Sequence, residues 1–256
     1  MLDVHPPHEA AHTWKDFFIH IATIVIGLLI AIGLEQTVEL IHHAHQRREL
    51  REALRSTTEI NDAWAKVDIE RVDGRRHWAL EQLTAIEKAG PSGPLALRRL
   101  PRMEIYSPNT GVWLAARQNG QAALLTVSEQ DLYADMDRVE DGIFVAPTSS
   151  IAQYSNALTE LDRQVLGRTI ALPSGDLDLS GLTPAQRQKL DDQLRALILS
   201  LRDLESRLLV YSTYTEYILT TPVGQLEQST SLKGYMKIFN RNKDAHPDLE
   251  SVLQSR

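Results

Sequence analysis

From Phe17 to Leu34 the chain reads FFIHIATIVIGLLIAIGL, a run with no formal charge in which only His20 and Thr23 are polar. No other stretch restricts the fold as strongly. At ~1.5 Å per residue, a helix of this length spans roughly 27 Å, close to the ~30 Å hydrocarbon core of a bilayer. Apolar side chains occupy every face, which disfavours a helix laid half-buried on a soluble core. Trp14 precedes the run, at the depth where an amphipathic ring suits the headgroups. A cleaved signal peptide is the main rival, because Ala31-Ile32-Gly33 loosely resembles a small-residue cleavage site. Signal peptides begin basic, however, and MLDVHPPHEAAHTW contains no Lys or Arg. The reading is an N-terminal tail over 1–16 and a transmembrane helix over 17–34.

Flanking charge bears on orientation. Lys15 precedes the run, whereas Arg47, Arg48, Arg51 and Arg55 follow it. The positive-inside rule then favours a cytoplasmic C-terminal part, and a periplasmic one is the alternative. Along one face Thr23, Gly27 and Ala31 recur every four residues, extended by Asp16 and His20 on one side and by Glu35 and Glu39 on the other. Small residues at this spacing let transmembrane backbones approach, and a polar His prefers a protein-facing position. The stripe His20, Thr23, Gly27, Ala31 and Glu35 is therefore expected to pack against a second copy or another membrane protein.

Beyond the run, residues 35–89 contain no helix breaker except Gly74. Leu50, Leu54, Ile60, Trp64 and Val67 suggest one face of a long amphipathic helix, a stalk or a first bundle helix. Asp73-Gly74 offers an alternative, a turn that would fold the segment into a hairpin. AGPSGP (89–94) is a clear stop, and 90–107 is expected to be a linker carrying Arg98, Arg99 and Arg102. A helical bundle follows over 108–222. Ser128 is the expected cap of its SEQDLYADM helix, Pro147 ends or kinks that region, and Thr183-Pro184 caps and opens a helix that runs to about Thr221. Residues 223–256 form a basic tail with Lys233, Lys237, Arg241 and Lys243 among aromatic residues. That tail suits either an anionic leaflet or a short helix packed on the bundle. Gly (13) and Pro (11) are sparse and no period-2 strand pattern is evident. The expected class is all-α: a transmembrane helix continuing into a long helix, then an antiparallel helical bundle.

HPPHEAAHTWKDFFIHIATIVIGLLIAIGLEQTVELIHHAH, with NTGVWLAARQNGQAALLTVSEQDLYADM, resembles an uncharacterised bacterial family. Its members carry an N-terminal single-pass helix ending in a GLLIA-type run, then an α-helical domain of unknown function with a Trp-containing segment. Trp113, Ala116, Gly120, Ala123 and Leu124 occupy that segment here. The resemblance implies a helical fold attached to the bacterial inner membrane, and it carries no activity and no catalytic residue across. Beyond about residue 170 the chain shows no motif of the family.

Few residues suggest chemistry. The net charge of −7 argues against nucleic acid as a partner, since a basic face is needed to displace counterions. Without cysteine there is no disulfide, thiolate metal site or thiol nucleophile. HExxH, phosphate-loop and G-x-S-x-G patterns are missing, so no enzyme and no cofactor are expected. Glu140-Asp141 and Asp191-Asp192 read as solvated helix faces, and His77, after Arg75 and Arg76, as surface. Histidines crowd towards the N-terminus: His5, His8, His12 and His20, then His42, His43 and His45. Glu39, His42, His43 and His45 have helical spacing permissive for a metal, yet one helix rarely supplies a closed four-ligand site. The simpler reading is a juxtamembrane collar of imidazoles and arginines. The chain is thus expected to be a single-pass, membrane-anchored helical scaffold or partner-binding protein. A sensor whose bundle binds a small ligand, and a histidine-dependent metal protein, are the alternatives.

Overall fold

The computed structural model describes residues 14–99, 103–165, 170–171, 176–228 and 232–244. The chain is all-α, and it divides into two compact units, residues 1–50 and 51–256. Helix α1 (Trp14–Ala89) is one uninterrupted helix whose first part belongs to the first unit and whose remainder belongs to the second. It passes through Asp73-Gly74 without a turn, so the hairpin alternative is wrong. An isolated Gly costs a helix only about 1 kcal/mol, too little to break a helix whose flanking turns are packed. Residues 14–16, expected in the N-terminal tail, already form its first turn.

In the second unit, α1 buries Leu54, Thr58, Asn61, Ala65, Asp68, Val72, Arg75, Ala79, Gln82 and Ile86. Their steps alternate between four and three residues, the seam of a helix packed lengthwise on another. This corrects the expected face. Ile60 and Trp64 are 52% and 41% exposed, because the step from 54 to 60 does not keep helical phase and the true stripe runs through small and polar residues instead. Helix α5 (Pro184–Thr220) carries the matching seam: Leu190, Leu194, Leu197, Leu201, Leu204, Leu208, Tyr211, Thr215 and Ile218, all buried. Contacts between the two helices run in opposite senses along the sequence. Arg55 donates to the Leu219 carbonyl, Asp62 accepts from Thr215, Arg76 pairs with Glu205, and Arg187 reaches Gly90. The pair is therefore antiparallel.

Both ends of this pair are set locally. Thr183 accepts from the Gln186 amide while Gln186 returns a bond to the Thr183 amide, and Pro184 occupies the first turn. This capping box satisfies donors that the helix cannot pair internally. At the other end α1 stops at Gly90, whose φ of 64° is the left-handed conformation that closes a helix C-terminus. A Cβ at Gly93 would lie 2.2 Å from the Ala89 carbonyl oxygen, so only glycine lets the chain turn back so tightly. Arg187, 3% exposed, donates to the carbonyls of Gly90, Gly93, Ser180 and Leu182, joining this turn to the start of α5.

Residues 90–107, expected to be a linker, carry a short strand among the described residues. Strand β1 (Ala96–Leu97) joins a three-stranded antiparallel sheet with β2 (Ile170–Ala171) and β3 (Leu177–Asp178), in the order β1-β3-β2. Two-residue strands are too short to leave an alternating pattern, which is why the sequence shows none. From there the chain runs back along α1. The Arg98 amide donates to Gln82, the Tyr106 amide to Asp68 and the Asn109 amide to Asn61. Gln82, Asp68 and Asn61 stand at seven- and fourteen-residue intervals on one rail of the α1 seam, and each holds a backbone amide of the returning segment.

Next come α2 (Gly111–Gln118), a 3-10 turn (Gln121–Leu124) and α3 (Val127–Glu140). The cap of α3 is Thr126 rather than Ser128: it forms a capping box with Glu129. Ser128 falls inside the first turn. A π-helical turn (Asp141–Val145) follows, then α4 (Ser150–Val165), which packs on α5. After α5 come α6 (Val223–Gln228) and α7 (Leu232–Asp244), within the expected basic tail. Helix α7 packs against α5: Arg241 pairs with Glu216, and Tyr235 lies 4.8 Å from Tyr214 between ring centres.

Candidate functional site

Two regions hold the features of functional interest. In the first unit, residues 14–45 of α1 are exposed throughout, with a mean hydropathy of 2.6 over the most apolar eighteen-residue window. Trp14 stacks on Phe18 at 5.5 Å and meets Phe17 edge-on at 5.6 Å, grouping three aromatic rings at the start of the run. His20, Thr23, Gly27, Ala31, Glu35 and Glu39 lie along α1, all exposed. The Thr23 hydroxyl is turned inward, donating to the Ile19 carbonyl at 2.8 Å, and no side chain approaches Gly27 within 4 Å.

The histidine collar is a series of local pairs. His42 Nε2 is 3.0 Å from Gln46 Nε2, His45 Nε2 is 3.2 Å from Glu49, and the His42 and His43 rings lie 6.5 Å apart. Among the described residues no group of three or more His, Cys, Asp or Glu is disposed to hold a metal ion. Glu39, His42, His43 and His45 are not drawn onto a common point, because consecutive turns of one helix spread them along its surface. His5, His8 and His12 lie outside the described residues.

In the second unit the polar groups are internal, and the sequence reading missed them. Arg76 and Glu205 form an ion pair at 3.0 Å with side chains 4% and 0% exposed. Arg75 is buried beside Tyr154, whose hydroxyl pKa is raised by burial. Of the pair taken as a solvated face, only Asp141 is exposed, and Glu140 is buried. The buried residues of α3 are Glu129, Tyr133, Met136 and Glu140, one helical stripe with a carboxylate at each end. The two carboxylates meet opposite environments. Glu129 takes two hydrogen bonds from the Arg51 guanidinium, at 2.8 and 2.9 Å, and another from the Thr126 amide. Against the upward pull of burial, these donors hold its pKa below the usual range. Burial, with Asp137 and Asp141 adding like charge, pushes Glu140 up to about 7.

Glu140 lines a cavity of about 10 Å³ between α1, α2 and α3, with Thr58, Asn61, Asn109, Trp113 and Tyr133. Burial raises the Tyr133 pKa to about 12, although Thr58 offers its hydroxyl a hydrogen bond. The Trp113 and Tyr133 rings are 5.4 Å apart. Glu140 Oε2 and Trp113 Nε1 are buried without a hydrogen-bond partner among the described residues. Sequence did hold one signal for all these groups: each charge stands in phase with an apolar helical stripe, as Arg76 does with Ile69, Val72, Ala79 and Leu83.

Compared with protein-family models, curated proteins and solved structures, the chain shows no match to any of them.

Proposed function

We propose that this protein is a single-pass, membrane-anchored helical scaffold whose bundle, residues 51–256, binds a partner protein. The observation that carries the reading is the apolar part of α1, whose most hydrophobic window is 0% buried by the rest of the chain. Covering a Leu, Ile or Phe side chain contributes about 1.5–3 kcal/mol, so a run of them left in water would be strongly unfavourable. A bilayer removes that penalty along every face at once. The arginines from Arg47 onwards support a cytoplasmic bundle. The resemblance drawn from the N-terminal and Trp113 segments supports placement in a bacterial inner membrane. A non-enzymatic role accords with the missing catalytic motifs.

The partner-binding reading is favoured over a small-ligand sensor by the interior of the bundle. The space beside Glu140, about 10 Å³, holds roughly one water, and the larger hollows, about 470 Å³ beside Arg117 and Arg138 and about 600 Å³ on α7, are open surface grooves rather than the concave sites that bury a small ligand. The test is membrane fractionation with alkaline washing, together with a C-terminal reporter active on only one side of the membrane. Retention of the intact chain in washed membranes, with the reporter active in the cytoplasm, is the expected result. Release into the wash, or loss of the first thirty or so residues on export, would overturn the anchor, and periplasmic reporter activity would reverse the orientation.

A further inference from the structure

The space beside Glu140 lies between α1, α2 and α3, partly open to solvent, and both apolar and polar side chains line it. Glu140 and Trp113 are 7% and 6% exposed, and both line it. Their unpartnered atoms are complementary, because an indole N–H only donates whereas a carboxylate oxygen accepts. The volume suits one water, which can accept from the indole and donate to the carboxylate. A water held this way needs two to four polar partners, and Thr58, Asn61, Asn109 and Tyr133 also line the space.

The charges around Glu140 are named by element. On α3 and the π-helical turn, Asp137 and Asp141 both oppose its ionisation. On α2, Arg117 is engaged with Asp137 at 2.7 Å. On α5, Tyr211 is buried and its hydroxyl pKa is raised, in part by Glu140 itself, and Arg207 lies against Gly142 while paired with Asp203. On α1, Asp62 acts on Tyr211 and is bound by Lys66 and Thr215, and Thr57, Thr58 and Asn61 are neutral. Anionic neighbours and exclusion from solvent together favour a proton on the carboxyl.

We propose that this cavity is a buried proton-binding site, in which Glu140 takes up and releases a proton and one water links its Oε2 to the Trp113 indole N–H. The proton binds to a carboxylate oxygen and leaves to solvent, with no other bond changed. Ionisation then alters what the Trp113 N–H sees, so the protonation state is read on α2, the helix that Trp113 and Ala116 seat on the bundle. The site lies wholly within residues 51–256 and does not depend on the membrane reading.

Full-length protein in detergent micelles, labelled with 5-fluorotryptophan, gives one fluorine resonance for each of its four tryptophans. Trp113→Phe assigns the relevant one. The expected result is a single titration of the Trp113 resonance with a midpoint near pH 7, absent in Glu140→Gln, while the Trp14, Trp64 and Trp78 resonances stay fixed. A Trp113 resonance that does not move between pH 5 and 9, or that titrates unchanged in Glu140→Gln, would overturn the proposal. Asp141→Asn guards against a Glu140 variant that does not fold. Asp141 is exposed, and removing its charge should lower the midpoint by a few tenths of a pH unit, whereas an unmoved midpoint counts against Glu140 as the titrating group.

Discussion

The Arg76 guanidinium on α1 meets the Glu205 carboxylate on α5 at 3.0 Å, with both side chains sealed from solvent and 129 positions apart in the chain. A pair so deeply buried gains from its own attraction but gives up the hydration of two ions. Its net worth is therefore small, whereas the cost of breaking it on one side is large. Arg76→Met should destabilise the bundle by about 3–5 kcal/mol, because it takes one guanidinium away from both the buried Glu205 carboxylate and Asp73. Combining it with Glu205→Leu should recover much of that loss. Thermal melts of the two single variants and the double one measure the coupling, and additive losses would contradict it.

Stability should depend on pH through α3, with opposite signs at its two ends. The Glu140 pKa is raised from 4.5 to about 7, so between those values the folded chain keeps a proton that the unfolded chain has released. That contribution is full below about 4.5 and falls by roughly 3 kcal/mol as pH rises to 7. Glu129 is depressed, so its contribution is present above its unfolded pKa and is lost as pH falls through the folded one. Glu140→Gln should flatten the decline between pH 5 and 7 and leave the acid limb unchanged. Melting temperatures recorded from pH 3 to 8 test both limbs, and an unchanged decline in the variant would remove Glu140 as its cause.

The returning segment 98–109 should loosen when its anchors on α1 are removed. Asn61 exchanges two hydrogen bonds with the Asn109 backbone, at 2.9 and 3.0 Å. Asp68 accepts from the Tyr106 amide at 2.9 Å. Asn61→Ala leaves an amide and a carbonyl to find other partners, at a cost of about 1–3 kcal/mol. Hydrogen exchange at the Asn109 amide should quicken in Asn61→Ala and at the Tyr106 amide in Asp68→Ala. Exchange that accelerates equally across the whole bundle would mean global destabilisation instead.

At the apolar end, Gly27→Leu places a large side chain on the Thr23–Gly27–Ala31 face, where no side chain stands within 4 Å of Gly27. If two copies meet there, crosslinking in membranes should fall several-fold while anchoring is unchanged. Crosslinking equal to wild type would place the interface elsewhere.

The legible parts of this fold are those written in neighbouring residues. An uncharged run, a Thr-Pro helix start and a Gly-Pro stop act within a few positions, and the structure follows them at Phe17–Leu34, Thr183-Pro184 and AGPSGP. Reading α1's buried face holds at Leu50 and Leu54 and fails at Ile60 and Trp64, because apolar character alone does not keep helical phase there. Thr58, Asn61, Asp68, Arg75 and Gln82 are buried because a distant segment supplies each with a partner or a packed neighbour, and no local pattern names that segment. Glu140 was hidden for the same reason: its surroundings come from α1, α2 and α5 together. A charge in phase with an apolar stripe was visible, but its meaning depends on contacts that form only in the folded chain.

Arg187 gathers carbonyls from Gly90, Gly93, Ser180 and Leu182, and it can do so only once positions more than ninety apart have met. Of the bonds that tie α1 to α5, those of Arg187 close the shortest loop, 94 and 97 residues against 129 to 164 for the bonds of Arg76, Asp62 and Arg55. Loop-closure entropy grows with length, so this turn is the least costly place for the two helices to meet, and one side chain serves as the clasp there.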